Sequence, residues 1–91
     1  MKVEIPIFAN GHAGSFNAEE ISIVEKITGK KVHVTYDYSE LERVLRKYKD
    51  APGVGMMGGD GTVLQIRTRV EDIWTVRPSY ILFPNGTGNN V

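Results

Sequence analysis

Residues 58–62, GGDGT, combine the residue types that bind a phosphate ligand and organise chemistry beside it. They follow an apolar, strand-like segment and open a helical one, which is where open parallel sheets bind ligands. The glycines let backbone N–H groups approach an anion, and a helix N-terminus adds a favourable dipole. Asp60 is suited to holding a ribose hydroxyl, reaching Mg²⁺ directly or through water, or accepting a proton. The alternative is that Asp60 or Thr62 only caps the helix while the glycines complete the turn.

Two other glycine-bearing loops also follow predicted strands. Residues 10–15, NGHAGS, follow the first strand, and residues 84–89, PNGTGN, follow the last one. Because the carboxyl ends of parallel strands meet at one sheet edge, all three loops are predicted to lie together there. The first loop is suited to phosphate contact, and an ordinary connecting loop is an equal alternative.

The spacing of apolar residues predicts the elements that position these loops. The predicted strands are Val3–Ala9, Val32–Tyr36, Gly55–Met57 and Tyr80–Phe83. The first predicted helix begins at Asn17, stops at Gly29 and has Ile21, Val24 and Ile27 on one face. The second predicted helix has a face formed by Leu41, Val44, Leu45 and Tyr48. The third predicted helix runs from Thr62 to about Val70. Ser39 and Glu42 form an S-x-x-E capping box for the second helix. This β-α-β-α-β-α-β order predicts a three-layer α/β/α domain with a mostly parallel sheet of about four strands.

Several other residues have a structural interpretation beside a functional one. Thr35, at the end of the second strand, is either a β-former or a ligand hydroxyl. The structural interpretation is favoured for Asp37 in a turn, Trp74 in packing, Arg67 and Arg69 on a solvated helix face, His12 in an exposed loop and His33 in a strand. A G-x-G-x-x-G match over residues 53–58 spans a strand instead of following one, so it is not interpreted as a dinucleotide site.

The composition excludes several classes of function. The 91 residues contain 11 basic and 11 acidic side chains and no cysteine, which argues against nucleic-acid binding, disulfides and cysteine metal sites. The two histidines, His12 and His33, lack metal-ligand spacing, so no metal site built from protein ligands alone is predicted. No apolar run approaches the roughly 20 residues of a membrane span, and the start does not resemble a signal peptide. We expect a cytoplasmic domain, associated peripherally with a membrane in a longer protein.

The three loops together resemble the catalytic domain shared by diacylglycerol kinases, sphingosine kinases and bacterial lipid kinases. GGDGT and PxGTGN stand in family order, and NGHAG is similar to the family's early N-P-x-[SA]-G loop. This resemblance implies a fold related to phosphofructokinase and NAD kinase, with ATP and Mg²⁺ as cofactors and a lipid hydroxyl as phosphoryl acceptor. It implies that Asp60 is the catalytic residue, either organising nucleotide and Mg²⁺ or accepting a proton. The implied nucleotide-binding residues are Asn10, Thr35, Gly58, Gly59, Asp60, Gly61, Thr62 and Thr87.

The sequence departs from the family pattern at four positions. Gly11 replaces a proline, which is predicted to loosen the first loop, and Asn90 replaces an acid. Leu64 and Gln65 replace the asparagine and glutamate that usually follow GGDGT, and Leu64 is closer to NAD kinases.

The family's second domain, which is β-rich and holds the lipid pocket, has no counterpart in the sequence. Residues 1–91 are therefore interpreted as the N-terminal, nucleotide-binding part of the catalytic domain, nearly inactive alone. An exposed sheet edge would then favour self-association. The alternatives are an NAD-kinase-like phosphotransferase and a non-catalytic nucleotide-binding or assembly module.

Overall fold

A computed structural model describes residues 4–12 and 18–83 of the chain. Within these ranges the elements alternate as predicted: β1 (Ile7–Asn10), α1 (Ala18–Thr28), β2 (Val32–Thr35), α2 (Tyr38–Lys47), β3 (Gly53–Met57), α3 (Asp60–Ile73) and β4 (Ser79–Phe83). The predictions for Asn17, Thr87 and Asn90 fall outside the described residues. Each helix in the described ranges is too short or too polar to cross a bilayer.

All four strands are parallel and form one sheet in the order β2-β1-β3-β4. The chain moves from β1 outward to β2, then crosses back over β1 and continues through β3 and β4 on the other side. Right-handed crossovers place α1 on one face of such a sheet and both α2 and α3 on the opposite face. The two buried clusters have this division, with α2 and α3 in one cluster and α1 in the other. The predicted three-layer α/β fold is therefore confirmed.

Alternating side chains of the central strands build the two cores. Phe8 and Met56 pack against α2 and α3, whereas Ile7 and Met57 pack against α1. Every residue of β3 is buried, because this strand lies between two others with helices on both faces of the sheet.

Two ring side chains have the structural roles predicted for them. Trp74 is buried, and its indole N–H donates to the backbone carbonyl of Leu45 at 2.8 Å, which connects the end of α3 to α2. His33 lies between two other rings, with centroid distances of 5.4 Å to Phe8 and 5.5 Å to Tyr48. Burial, followed by the charges of nearby lysines, lowers the pKa of His33 below its ordinary value.

Two local predictions are wrong. Asp37, and not Ser39, caps α2, because its carboxylate accepts the backbone N–H of Glu40 at 2.8 Å. Ile27 is 78% exposed and does not share the buried face of Ile21 in α1. Ile21, Val24 and Ile27 are spaced three residues apart, and each step falls short of the 3.6 residues of a full helical turn. After two such steps, the side chain of Ile27 points away from the face that carries Ile21.

One edge of the sheet is formed by β4, whose sequence is SYILF. Ile81 is 37% exposed and Leu82 is 62% exposed. Edge strands usually carry charges, proline or a cover that prevents further pairing. This strand contains neither a charged residue nor proline, so its outer side is suited to pairing with another strand.

Candidate functional site

The carboxyl ends of β1, β2 and β3 meet at one edge of the sheet. In the strand register, Asn10 at the end of β1 lies opposite Thr35 at the end of β2, and Ala9 lies opposite Met57, just before Gly58. The connections from β1 and β3 leave toward opposite sides, which makes this a topological switch point of the kind where α/β sheets bind ligands. The NGHAGS loop after β1 and the GGDGT turn after β3 therefore begin side by side. The PNGTGN loop lies outside the described residues.

A cleft of about 340 Å³ lies at this edge. Its volume is in the lower part of the range for small-molecule sites. The cleft brings together three of the predicted nucleotide-binding residues, Asn10, Thr35 and Thr62, from three different elements. The other lining residues are His12, Tyr36, Asp37, Tyr38, Leu41, Gln65 and Ile66.

The glycine-rich turn leaves the N-terminus of α3 without a side-chain cap. Gly59 is the N-cap residue, and α3 begins at Asp60, two positions before the predicted start at Thr62. The first helical hydrogen bond runs from the Val63 N–H to the Gly59 carbonyl at 3.0 Å. The backbone N–H groups of Asp60, Gly61 and Thr62 precede this bond and have no acceptor within the helix. The alternative in which Asp60 or Thr62 serves only as the cap is therefore not observed.

Gly58 shapes the turn and places Thr62. Its φ is +141°, a backbone conformation that residues with a Cβ rarely adopt. A Cβ on Gly58 would lie 2.9 Å from the Cβ of Thr62, so these two residues pack closely. A Cβ on Gly59 or on Gly61 would meet no atom within 4 Å. Gly58 is thus required by the turn itself, whereas the space beside the other two glycines is available to a ligand.

Asp60 is exposed at the first position of α3. Among residues 4–12 and 18–83, no group of three or more histidine, aspartate or glutamate side chains is arranged to hold a metal ion. A divalent cation at this point would therefore share the Asp60 carboxylate with oxygen atoms of a bound ligand.

The loop after β1 is tied to the end of β2. The side-chain oxygen of Asn10 accepts the backbone N–H of His12 at 2.9 Å, which leaves its NH₂ group and the second lone pair of that oxygen for a ligand. The backbone N–H of Gly11 donates to the carbonyl of Thr35 at 2.8 Å. A proline at this position has no N–H and could not form that bond. Glycine at this position thus permits a backbone hydrogen bond to β2 that proline would not, while the effect of Gly11 on the rest of the loop stays a prediction.

The N-terminus of α2 reaches the same edge and is occupied by two carboxylates. Asp37 accepts the N–H of Glu40 at 2.8 Å, and Glu40 accepts the N–H of Tyr36 at 2.7 Å. Of the donors in the first turn of α2, the N–H of Glu40 is paired with Asp37, and the two carboxylates add negative charge that repels a further anion. The start of α3 differs, because it has no side-chain cap and carries one carboxylate, that of Asp60.

Arg67 and Arg69 contact aromatic rings on the helix surface. Their guanidinium carbons lie 5.2 Å from the ring centre of Tyr80 and 4.5 Å from that of Tyr38. Arg69 also lies 3.7 Å from the carboxylate of Glu42. These contacts agree with the predicted helix-surface role and do not form a phosphate clamp.

Leu64 and Gln65, the two residues that follow GGDGT-x, have different surroundings. Gln65 lines the cleft, whereas Leu64 is 65% exposed and does not line it. Tyr36 and Tyr38 also line the cleft, at 51% and 49% exposure, and were not among the predicted site residues. Their position just after the carboxyl end of β2 is the signal that could have identified them.

Comparison with known proteins identifies the family of the chain. Residues 4–91 match the family described as the diacylglycerol kinase catalytic domain. No curated protein and no solved structure matches the chain significantly. Because the family match spans nearly all of the 91 residues, the chain belongs to the diacylglycerol kinase catalytic domain family.

Proposed function

We propose that this chain is the ATP-binding part of a lipid-kinase-like phosphotransferase, which moves the γ-phosphoryl group of ATP to a lipid hydroxyl. The observation that carries the proposal is the convergence of Asn10, Thr35 and Thr62 in one cleft beside the uncapped N-terminus of α3. Family membership supports the kinase chemistry, and the cleft supports a nucleotide as the ligand.

The N-terminus of α3 is suited to holding the phosphates. It offers the free N–H groups of the first turn together with the positive end of the helix dipole. The space beside Gly59 and Gly61 lets phosphate oxygens approach the backbone. Thr62 adds a hydroxyl at the cleft wall. Catalysis at such a site comes mainly from holding the phosphate chain in place and stabilising its charge.

Asp60 is proposed to organise Mg²⁺, with proton acceptance as its second possible role. When bound with ATP, Mg²⁺ neutralises the charge that develops on the phosphates. The single exposed carboxylate fits this ion, because Mg²⁺ is commonly held by one or two carboxylates and the substrate phosphates. Asp60→Asn preserves the size of the side chain and removes its charge. We expect the variant to show a weaker dependence of nucleotide affinity on Mg²⁺ concentration than the unmodified chain.

The lipid acceptor is assigned to a second, β-rich domain, so the 91 residues alone should bind ATP and transfer almost no phosphate. Rapid phosphorylation of diacylglycerol or sphingosine by the purified chain would contradict this division. The NAD-kinase-like alternative gains no support from the cleft, because Leu64 does not line it. Assaying lipid against NAD as acceptor, with a protein that includes an acceptor domain, separates the two kinase functions from each other.

Calorimetric titration with Mg-ATP tests the nucleotide function directly. We expect a dissociation constant between about 1 μM and 1 mM, as is typical of enzyme substrates. Thr62→Val removes one hydroxyl from the cleft and should weaken binding by roughly two- to tenfold, the effect of losing one hydrogen bond. The matched control is Thr68→Val on the same helix, where an exposed hydroxyl donates to the Leu64 carbonyl. It should leave affinity unchanged. If the chain is folded by circular dichroism and binds nothing at millimolar nucleotide, the proposal is wrong.

A further inference from the structure

We propose that Tyr36 is the platform on which the nucleobase stacks, and that Gly11 is the residue that lets its ring occupy this position. This inference rests on the proposed nucleotide function and extends it. It assigns the two ends of the cleft, with the phosphates at the N-terminus of α3 and the base at the end of β2.

The ring of Tyr36 packs directly on the backbone of Gly11. A Cβ on Gly11 would lie 2.6 Å from Cδ1 and 2.7 Å from Cζ of the ring. Carbon atoms in contact are normally about 3.5–4.0 Å apart, so a residue with a side chain would push the ring away. The hydrogen bond from Gly11 to the Thr35 carbonyl, at 2.8 Å, fixes the backbone beneath the ring.

His12 contacts the same ring. The centroids of His12 and Tyr36 are 5.4 Å apart and their planes meet at 81°, which is a favourable edge-to-face arrangement. Tyr36 is nevertheless 51% exposed and lines the cleft. A ring that is supported by the protein and still exposed to a cleft is suited to stacking with a planar aromatic ligand.

The charges around the cleft give the ligand a direction. Two carboxylates lie at the start of α2: Asp37 accepts the N–H of Glu40 in the first turn, and Glu40 accepts the N–H of Tyr36 itself. The N-terminus of α3 has no side-chain cap and carries one carboxylate, that of Asp60, which a bound Mg²⁺ would share with the phosphates. Phosphates are therefore favoured at α3 and disfavoured beside Tyr36. The uncharged, aromatic part of a nucleotide is left for the Tyr36 end of the cleft.

The second tyrosine of the cleft is less suited to this role. The ring of Tyr38 is contacted by the guanidinium of Arg69, 4.5 Å from its centre. The ring of Tyr36 contacts Gly11 and His12 instead. Tyr38→Leu therefore serves as the comparison variant for Tyr36→Leu.

The test compares two probes, Mg-ATP and inorganic tripolyphosphate with Mg²⁺, by calorimetry. The unmodified chain should bind ATP more tightly than tripolyphosphate. Tyr36→Leu should weaken ATP binding by about tenfold, a moderate value for the loss of one base–aromatic stack. It should leave tripolyphosphate binding unchanged. Tyr36→Phe retains the ring, so its ATP affinity should remain within about twofold of the unmodified chain.

Gly11→Ala gives a second, independent perturbation of the same platform. The added methyl group displaces the half-exposed ring and should also weaken ATP binding without weakening tripolyphosphate binding. Thermal melting of each variant shows whether it is folded.

The outcomes separate this inference from the function on which it rests. Equal effects of Tyr36→Leu on both probes, no effect on either, or a larger loss of ATP affinity in Tyr38→Leu would overturn the platform and leave the nucleotide function standing. A folded chain that binds no Mg-ATP would overturn the proposed function itself, and the platform with it.

Discussion

Replacing Gly58 with alanine separates the structural role of the GGDGT turn from its role toward a ligand. Gly58 has φ of +141°, and a Cβ there would lie 2.9 Å from the Cβ of Thr62. Alanine is strained in this backbone conformation and must also push against Thr62, which lines the cleft. We therefore expect both lower stability and weaker nucleotide binding.

The size of the stability effect follows from these two contributions. A residue held in a sparsely populated backbone region costs about 1–3 kcal/mol, and forcing a methyl group into a packed site costs a similar amount, about 1–3 kcal/mol. Partial relaxation of the turn places the total at about 2–4 kcal/mol, against a typical unfolding free energy of about 5–15 kcal/mol. The variant should fold at room temperature and melt roughly 10–25 °C below the unmodified chain.

Gly61→Ala is the matched control, because a Cβ at this position meets nothing within 4 Å. Alanine in a helix is more favourable than glycine by up to about 1 kcal/mol, so the control should be as stable as the unmodified chain or slightly more stable. It should still weaken Mg-ATP binding, because its methyl group occupies space assigned to the phosphates.

Urea unfolding followed by circular dichroism, and calorimetric titration of each folded variant, measure the two effects. The reasoning is refuted if Gly58→Ala unfolds at the same urea concentration as the unmodified chain. It is equally refuted if Gly61→Ala is the more destabilised of the two.

The cap of α2, the buried histidine and the edge strand each give one more prediction. Asp37→Ala should lower the free energy of unfolding by about 1 kcal/mol, whereas Ser39→Ala should change it by less than about 0.5 kcal/mol; equal effects in urea unfolding would contradict the observed cap. Folding lowers the pKa of His33, so the unfolded chain binds more protons than the folded chain below pH 6.5. The free energy of unfolding should therefore fall as the pH drops from 6.5 toward the lowered pKa. His33→Phe should flatten this dependence in urea midpoints compared at neutral and acidic pH. Leu82→Lys introduces a charge into the exposed edge strand and should reduce self-association in sedimentation; an unmodified chain that sediments as a monomer would contradict this use of the edge.

The order of elements could be predicted from sequence because periodicity is a local property. Leu41 and Leu45, four residues apart, lie on the buried face of α2 as predicted. The helix start was harder, because the sequence contains two overlapping cap patterns, D-x-x-E from Asp37 and S-x-x-E from Ser39. Both are locally acceptable. The choice depends on where β2 ends, at Thr35, which is set by pairing with β1 and not by the local sequence.

The same distinction applies to the site. The position of the GGDGT turn at the sheet edge could be predicted, because the motif is contiguous and its place between a strand and a helix is visible in the sequence. Tyr36 could not be assigned in this way, because its position depends on Gly11, a residue on a different loop. The pairing of β1 with β2 brings the two together. In the sequence, Gly11 is notable only because the family pattern has proline at that position. In the structure, the ring of Tyr36 packs against it.

The cleft gains its direction from two helix N-termini that the parallel sheet brings to one edge. Left alone, both would attract an anion, and a nucleotide could bind in either sense. Asp37 occupies one first-turn donor of α2, the N–H of Glu40, and Glu40 adds a second carboxylate there, while glycine at the N-cap of α3 leaves its first-turn donors without a side-chain cap. If the proposed nucleotide binds here, the cap that stabilises α2 also makes its N-terminus the less favourable position for phosphate. Under the proposed function, the stability of α2 and the orientation of the nucleotide depend on the same carboxylates, since removing them would weaken the helix and also remove the negative charge beside Tyr36.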